Sequence, residues 1–158
     1  MARGHRITRS LADPDMIYGN RLLTRFINGV MKSGKKRVAE HLVYKALDII
    51  KEKGEDPMKV FETAVNTVGP KMEVRPRRVG GASYQVPMEV RGDRRVSLAI
   101  RWLVGYASNR SNKEYHTFAD KLAAELLDAA KGTGEAIKRR DTIHRMAEAN
   151  RAFAHFKW

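Results

Sequence analysis

The segment closest to a catalytic motif is residues 29–36, which read Gly-Val-Met-Lys-Ser-Gly-Lys-Lys. A P-loop of the form G-x-x-x-x-G-K-[ST] binds phosphates through its backbone N–H groups and lysine, and binds Mg²⁺ through its hydroxyl. Lys36 stands where that hydroxyl must be, and the segment follows a predicted helix rather than a strand. We therefore interpret it as a helix-to-helix turn that presents three cations, and not as a nucleotide-hydrolysing site.

Other catalytic patterns are also missing from the sequence. The chain has no cysteine, and none of its five histidines lies in H-E-x-x-H, so a metal site would need ligands from distant segments. Glu73 and Glu89 could face each other as a glycosidase-like acid pair, but local pairing with Arg75 or Arg91 is favoured. We find no catalytic constellation, and we predict a protein that is not an enzyme and uses no cofactor or metal.

The charge of the chain points to a polyanionic partner. Its 158 residues carry a net charge of +13, and 42% of them are hydrophobic, which suits one globular core. Residues 1–12 carry three arginines and no acid, and residues 16–39 carry six cations and no acid. Clusters of one sign exceed what solubility needs and favour nucleic acid first, with an anionic membrane surface second. No apolar run approaches the ~20 residues that span a bilayer.

Helical periodicity in the first half of the chain predicts three helices. Apolar residues recur at helical spacing over residues 20–33, where Gly34 ends the pattern, and again over residues 35–53. A third helix is predicted to open at Asp56 and Pro57, an N-cap followed by proline at the first helical position.

Residues 71–91 alternate with period two on both sides of Gly80-Gly81, which predicts a β-hairpin. Four arginines can contact phosphates, and Tyr84 can stack on a base, with core packing as the alternative for Tyr84. Core packing is the favoured interpretation for Val86, Met88 and Val90. The four arginines are Arg75, Arg77, Arg78 and Arg91. Alternation places Arg75 and Arg77 on one face of the ribbon and Arg78 on the other, which suits a ribbon inserted between RNA elements.

Three further helices are predicted after the hairpin. Asp93 is predicted to cap the fourth, and Thr117 with Asp120 to form a capping box for the fifth. The sixth begins near residues 134–135. We expect it to be anchored by an aromatic tail made of Phe153, Phe156 and Trp158. The predicted fold is mainly α: a single domain of about six helices with a protruding two-stranded β-hairpin, residues 13–158, preceded by a basic arm, residues 1–12.

Six runs of the sequence are specific enough to compare with known families. They are Asp13-Pro14, Tyr18-Gly19-Asn20, Gly34-Lys35-Lys36, the hairpin run Glu73-Val74-Arg75-Pro76-Arg77-Arg78-Val79-Gly80-Gly81-Ala82-Ser83-Tyr84-Gln85-Val86-Pro87, Arg101-Trp102-Leu103, and the C-terminal run His144-Arg145-Met146-Ala147-Glu148-Ala149-Asn150-Arg151-Ala152-Phe153-Ala154-His155-Phe156. Together they resemble the bacterial-type small-subunit ribosomal protein seven family. The resemblance runs from about Asp13 to Trp158 without a large gap.

The resemblance implies a structural role on the ribosome, in the cytoplasm or in an organelle. It implies a primary binder of small-subunit (16S-type) rRNA that nucleates assembly of the 30S head. Its hairpin, residues 73–91, would lie near the exit-site tRNA and the mRNA path. The implied protein neighbours are small-subunit ribosomal proteins nine and eleven, with no membrane and no functional homo-oligomer. The alternative is a translational repressor that binds its own mRNA, as some members of the family do.

The resemblance also assigns RNA-binding roles by position. The flexible arm would thread into rRNA through Arg3, Arg6 and Arg9. The first-helix face would carry Arg21, Arg25, Lys32, Lys35, Lys36 and Arg37. The hairpin would contribute Arg75, Arg77 and Arg78, and the fourth helix Arg94, Arg95 and Arg101. The link over residues 107–117 is longer and less basic than the resemblance leads us to expect, so we assign no RNA contacts to it.

Overall fold

A computed structural model describes residues 12–156 of the chain. Within that range the structure has six α-helices, one β-hairpin and a terminal 3-10 helix, η1. Their bounds are α1 Arg21–Val30, α2 Lys36–Glu52, α3 Pro57–Val68, β1 Met72–Val79, β2 Ala82–Glu89, α4 Gly92–Asn109, α5 Phe118–Ala130, α6 Glu135–Ala149 and η1 Arg151–Phe156. The mainly helical fold with an inserted hairpin is confirmed. The predicted arm lies outside the described residues except for Ala12.

Helix α5 forms the centre of the core. It packs against α2, α3, α4 and α6, and residues 121–127 are all buried. A helix buried on every side is surrounded by other elements rather than lying on a surface. Phe26 of α1 and Phe61 of α3 meet beside it edge to face, with ring centroids 5.2 Å apart. Helices α2, α3, α4 and α6 therefore form a shell around α5, and the outer faces of the helices are the surface available to a partner.

The helix boundaries follow local capping chemistry. The Asp56 carboxylate accepts the N–H groups of Met58 and Lys59, as predicted for an N-cap. The predicted capping box is confirmed: the Thr117 hydroxyl accepts from the Asp120 N–H at 3.2 Å, and the Asp120 carboxylate accepts from the Thr117 N–H at 3.1 Å. These two devices are specified by adjacent residues, which is why the sequence alone predicts them.

Two predicted boundaries are wrong. Helix α1 ends at Val30 rather than residue 33, because Met31 turns to an extended ψ of 132°. Ser33 and Gly34, with φ angles of 52° and 72° in the left-handed region, then form the turn toward α2. Asp93 does not cap α4: the helix begins at Gly92, its N-cap is Arg91, and no side chain caps it. The Asp93 carboxylate instead lies 3.4 Å from Nη1 of Arg25 in α1.

The hairpin is antiparallel, with Glu73 opposite Met88 and Arg77 opposite Tyr84. Its turn uses Gly80 and Gly81 at φ angles of 57° and 88°, as a two-residue loop between right-twisted strands requires. The base of the hairpin packs on α6, and β2 packs on η1. The tip, residues 80–83, is exposed. Helix α6 and η1 therefore hold the strands of the hairpin, and its tip is open to solvent.

The segment before α1 is tied down by one buried carboxylate. Asp15 Oδ2 accepts the N–H groups of Ile17 and Tyr18 at 3.1 and 3.0 Å. Its Oδ1 accepts the Tyr44 hydroxyl of α2 at 2.6 Å. Burial is the main reason that the pKa of Tyr44 lies well above its usual value, and this hydrogen bond raises it further. The chain therefore enters α1 along a fixed path.

Candidate nucleic-acid interface

The turn between α1 and α2 carries the densest exposed positive charge. We define the turn surface as Lys32, Lys35, Lys36 and Arg37, all of which are exposed. Lys36 pairs with Glu40 at 3.8 Å, and the other three side chains have no carboxylate partner within residues 12–156. No side chain caps the first N–H groups of α2. This surface offers three unneutralised cations beside the start of a helix, an arrangement that suits phosphate oxygens.

The P-loop-like segment has the structure expected of a helix-to-helix turn. Gly29 lies inside α1, and Lys36 is the first residue of α2, so no strand precedes the glycine. Within residues 12–156 no group of three or more histidine or carboxylate side chains is placed to hold a metal ion. No helix among the same residues is long and apolar enough to cross a membrane.

Helices α1 and α4 come together beside the turn surface. A Cβ on Gly29 would lie 2.6 Å from Cγ2 of Ile100, so the two backbones approach closely. Arg25 bridges the pair through the Asp93 carboxylate and the Ser97 hydroxyl, the latter at 3.2 Å. Two exposed arginines, Arg21 on α1 and Arg101 on α4, have no carboxylate partner among the described residues.

Two arginines at the start of α4 are used inside the fold. Arg94 Nε donates to both oxygens of Glu73 at 2.9 and 2.8 Å. Arg95 donates from Nε and Nη2 to the backbone oxygens of Gly69 and Asn66, both at 3.0 Å. Arg94 thereby ties β1 to α4, and Arg95 ties the end of α3 to α4. Sequence reasoning assigns both to RNA alone and does not detect these ties.

The three arginines within β1 divide into one paired residue and two without a carboxylate partner, and the fourth, Arg91, lies after β2 as the N-cap of α4. Arg75 Nε lies 2.5 Å from Glu73 Oε1, as the sequence predicts for that acid, and Glu73 lies opposite Met88 rather than Glu89. Arg77 and Arg78 have no carboxylate partner among the described residues. Because opposite residues share a face of a ribbon, Arg77 lies on the face of Tyr84, and Arg78 lies on the other.

Tyr84 lies in an aromatic cluster within the chain. Its ring centroid is 5.3 Å from that of Phe153 and 5.2 Å from that of Phe156. The C-terminal aromatics therefore pack on the hairpin, whereas the sequence predicts only that they anchor the last helix. Trp158 and the arm residues Arg3, Arg6 and Arg9 lie outside the described residues. Val86 and Val90 are buried, as predicted, and Met88 is half-buried.

Comparison with known proteins adds the decisive observation. Residues 2–151 match the family described as Ribosomal protein S7p/S5e. The chain belongs to this family. It is 56% identical to small ribosomal subunit protein uS7 of Thermomicrobium roseum over the full length of both chains. It is 58% identical to the uS7 protein of Caldicellulosiruptor bescii over 92% of each chain. The resemblance to the ribosomal protein seven family is therefore confirmed.

In this S7p/S5e protein a buried ion pair closes the link over residues 107–117. Arg110 donates from Nε to Oε2 of Glu125 at 2.7 Å, and its Nη2 donates to Asp128. Glu125 is completely buried, and its Oε1 accepts the N–H of Ala136 at 3.2 Å. Arg110 is thus committed to the fold. No local pattern reveals this network, because its members lie in three separate segments.

A histidine fixes the start of the hairpin in this S7p/S5e protein. His144 Nε2 in α6 accepts the backbone N–H of Lys71 at 3.0 Å. Burial is the main cause that lowers the pKa of His144, and the positive charge of the nearby Arg140 guanidinium lowers it further. Arg140 Nη1 also donates to the Thr67 carbonyl at 2.8 Å, so α6 holds both the end of α3 and the beginning of β1.

Proposed function

We propose that the protein binds small-subunit (16S-type) rRNA through three basic surfaces on a rigid helical scaffold. As a member of the S7p/S5e family it is a structural constituent of the small ribosomal subunit, and it acts on the ribosome. The proposed surfaces are the turn surface, the face of α1 and α4 that carries Arg21 and Arg101, and the part of β1 that carries Arg77 and Arg78. Neutralising phosphates on such surfaces releases counterions and supplies the affinity.

The observation that carries the proposal is the imbalance of charge at the turn surface. Lys32, Lys35 and Arg37 are exposed and have no carboxylate partner within residues 12–156. A surface that serves solubility alone mixes the two signs. The other end of α2 provides the contrast, because Lys51 and Lys53 there flank Glu52 and are followed by Glu55.

The finer assignments follow from family membership as proposals. We infer that the protein nucleates the 30S head in the cytoplasm. We infer further that its hairpin lies near exit-site tRNA and mRNA, and that small-subunit ribosomal proteins nine and eleven are its neighbours. We propose that Arg91 and the arm arginines Arg3, Arg6 and Arg9 add RNA contacts. We propose the same for Arg94 and Arg95, in addition to the bonds that they make within the fold. The family is one of structural ribosomal proteins, which supports the inference that the chain is not an enzyme.

The test is a binding titration with matched charge variants. The full chain is titrated against a fragment of the small-subunit rRNA head, with an unrelated structured RNA of equal length as competitor, over a series of salt concentrations. One variant changes Lys32, Lys35 and Arg37 to glutamine. The control changes three exposed lysines near the far end of α2 to glutamine, Lys51, Lys53 and Lys59, the first two of them about 20 Å away along the helix.

We expect the turn variant to reduce the log–log salt slope by about two to three, since each lost phosphate contact removes roughly 0.7–0.9. The control, with the same change in net charge, leaves the slope almost unchanged. Equal effects of the two variants, together with equal binding to the unrelated RNA, would show only a nonspecific polycation and would contradict the proposal.

A further inference from the structure

An apolar groove lies beside the turn surface, between α2, α4 and the start of α5. Its volume is about 330 Å³. Its apolar lining includes Val38 and Leu42 of α2, Val104 of α4 and Phe118 of α5, and Lys32 and Lys35 stand at its edge. No carboxylate is among its lining residues. Val38 is 55% exposed, so an apolar side chain faces solvent at the mouth of the groove.

The size and charge of the groove restrict what it can hold. A volume of about 330 Å³ is at the lower limit of small-ligand sites. It is too small for an amphipathic helix, which needs anchors over two or more turns. Two lysines without a carboxylate partner at its edge favour an anionic partner. A nucleotide combines a flat, largely apolar ring with an adjacent phosphate.

We propose that this groove binds one unstacked nucleobase of rRNA, with the flanking phosphates on Lys32 and Lys35. The inference rests on the proposed rRNA binding and specifies a base contact within it. Single-stranded positions are where proteins read RNA, by stacking splayed bases on aromatic and apolar side chains. Phe118 supplies a half-buried ring in the groove, and Val38 provides an apolar wall at its mouth.

The first experiment compares two matched variants of the full chain. Val38→Gln replaces the exposed apolar wall without adding charge. Met146→Gln is the control, because it makes a similar change at a residue of α6 that is 50% exposed. We expect Val38→Gln to weaken binding to the head rRNA fragment by about threefold to tenfold, since a stacked base contributes on the order of tenfold or more. Met146→Gln should leave the affinity unchanged. Circular dichroism checks that both variants keep their helices.

The second experiment identifies the nucleotide. The chain has no cysteine, so Val38→Cys gives a unique attachment point for a benzophenone cross-linker, with Met146→Cys as the control. We expect the position-38 probe to cross-link to one unpaired rRNA nucleotide. Replacing that nucleotide by an abasic one should weaken wild-type binding by about tenfold and abolish the difference between Val38→Gln and wild type.

The outcomes separate this inference from the function on which it rests. If wild-type protein fails to bind the head fragment specifically, the proposed rRNA binding itself fails. If binding is specific but the two glutamine variants have equal affinity, or the cross-links spread over paired nucleotides, the base site alone is overturned. Cross-linking to a ribosomal protein in assembled subunits, with no RNA product, would overturn it in favour of a protein contact.

Discussion

Arg110, in the loop after α4, donates from Nε to Oε2 of the fully buried Glu125 in α5 at 2.7 Å. The other oxygen of that carboxylate accepts the N–H of Ala136 at the start of α6, where no side chain provides the N-cap. One buried anion thus holds a loop and two helices together. A buried charge of this kind is tolerated only while its partners are in place.

Removing the partner of this carboxylate should destabilise the protein strongly. Arg110→Ala leaves Glu125 buried without a counter-charge, which typically costs about 3–5 kcal/mol. Urea unfolding followed by circular dichroism measures the loss. Arg139→Ala is the control, because Arg139 is exposed and has no carboxylate partner among the described residues, and it should change stability by less than about 0.5 kcal/mol. Similar values for the two variants would contradict the structural role of Arg110.

Two helical glycines should respond to alanine in opposite directions. At Gly29 a Cβ would lie 2.6 Å from Cγ2 of Ile100, and the stiff β-branched side chain cannot move away without repacking. At Gly105 no atom lies within 4 Å of the added Cβ. We expect Gly29→Ala to destabilise by about 1–3 kcal/mol and Gly105→Ala to stabilise by up to about 1 kcal/mol. Thermal unfolding of the pair provides the measurement, and the same sign for both would contradict the α1–α4 packing.

His144 should make stability depend on pH. Its pKa in the folded protein is lowered by burial and by Arg140, and its neutral Nε2 accepts the Lys71 N–H. The unfolded chain therefore takes up a proton at this site at a higher pH than the folded protein does. The resulting stability is complete above the ordinary histidine pKa of about 6.5 and is lost as the pH falls below it.

The measurement for His144 compares wild type with His144→Gln. Unfolding free energies are determined at about pH 7.5 and about pH 5, on either side of the ordinary histidine pKa. We expect wild type to lose more stability than the variant on acidification. An equal loss in both proteins would show that other groups, and not His144, account for the acid sensitivity.

The sequence predicts the elements of this fold well because their signals are local. Apolar spacing marks the helices, the Asp56 cap and the Thr117 capping box depend on residues within three positions, and Gly80-Gly81 marks the hairpin turn. Even the P-loop-like segment is correctly interpreted as a turn, because the preceding periodicity is helical.

The interactions that sequence reasoning misses join distant segments. Asp93 is an acceptable cap by local rules, but Arg25, 68 positions away, takes part of its charge. Arg94 has the composition of an RNA contact, yet Glu73 binds it from β1. A charged residue has the same sequence signature whether it is paired or not. The sequence therefore shows where the cations lie along the chain, whereas the structure is needed to tell which of them are unpaired and can bind RNA.

The hairpin arginines without a carboxylate partner are available to RNA, which leads to a prediction. Changing Arg75, Arg77 and Arg78 to alanine should weaken rRNA binding and leave the fold intact. Arg77 and Arg78 have no carboxylate partner among the described residues, and the loss of Arg75 leaves Glu73 paired with Arg94 at 2.8 Å. Helical circular dichroism and the unfolding midpoint should stay near wild type, while the salt slope of binding falls by about two.

The control for this prediction removes both partners of the hairpin carboxylate. Glu73 is only 7% exposed, so the double variant Arg75→Ala with Arg94→Ala leaves a buried charge unpaired and should lower stability by about 3 kcal/mol. The triple variant changes the charge by more than the double variant, yet should be the more stable protein. If the triple variant instead lost its helical signal, Arg77 or Arg78 would have a role in the fold, and their assignment to RNA would need revision.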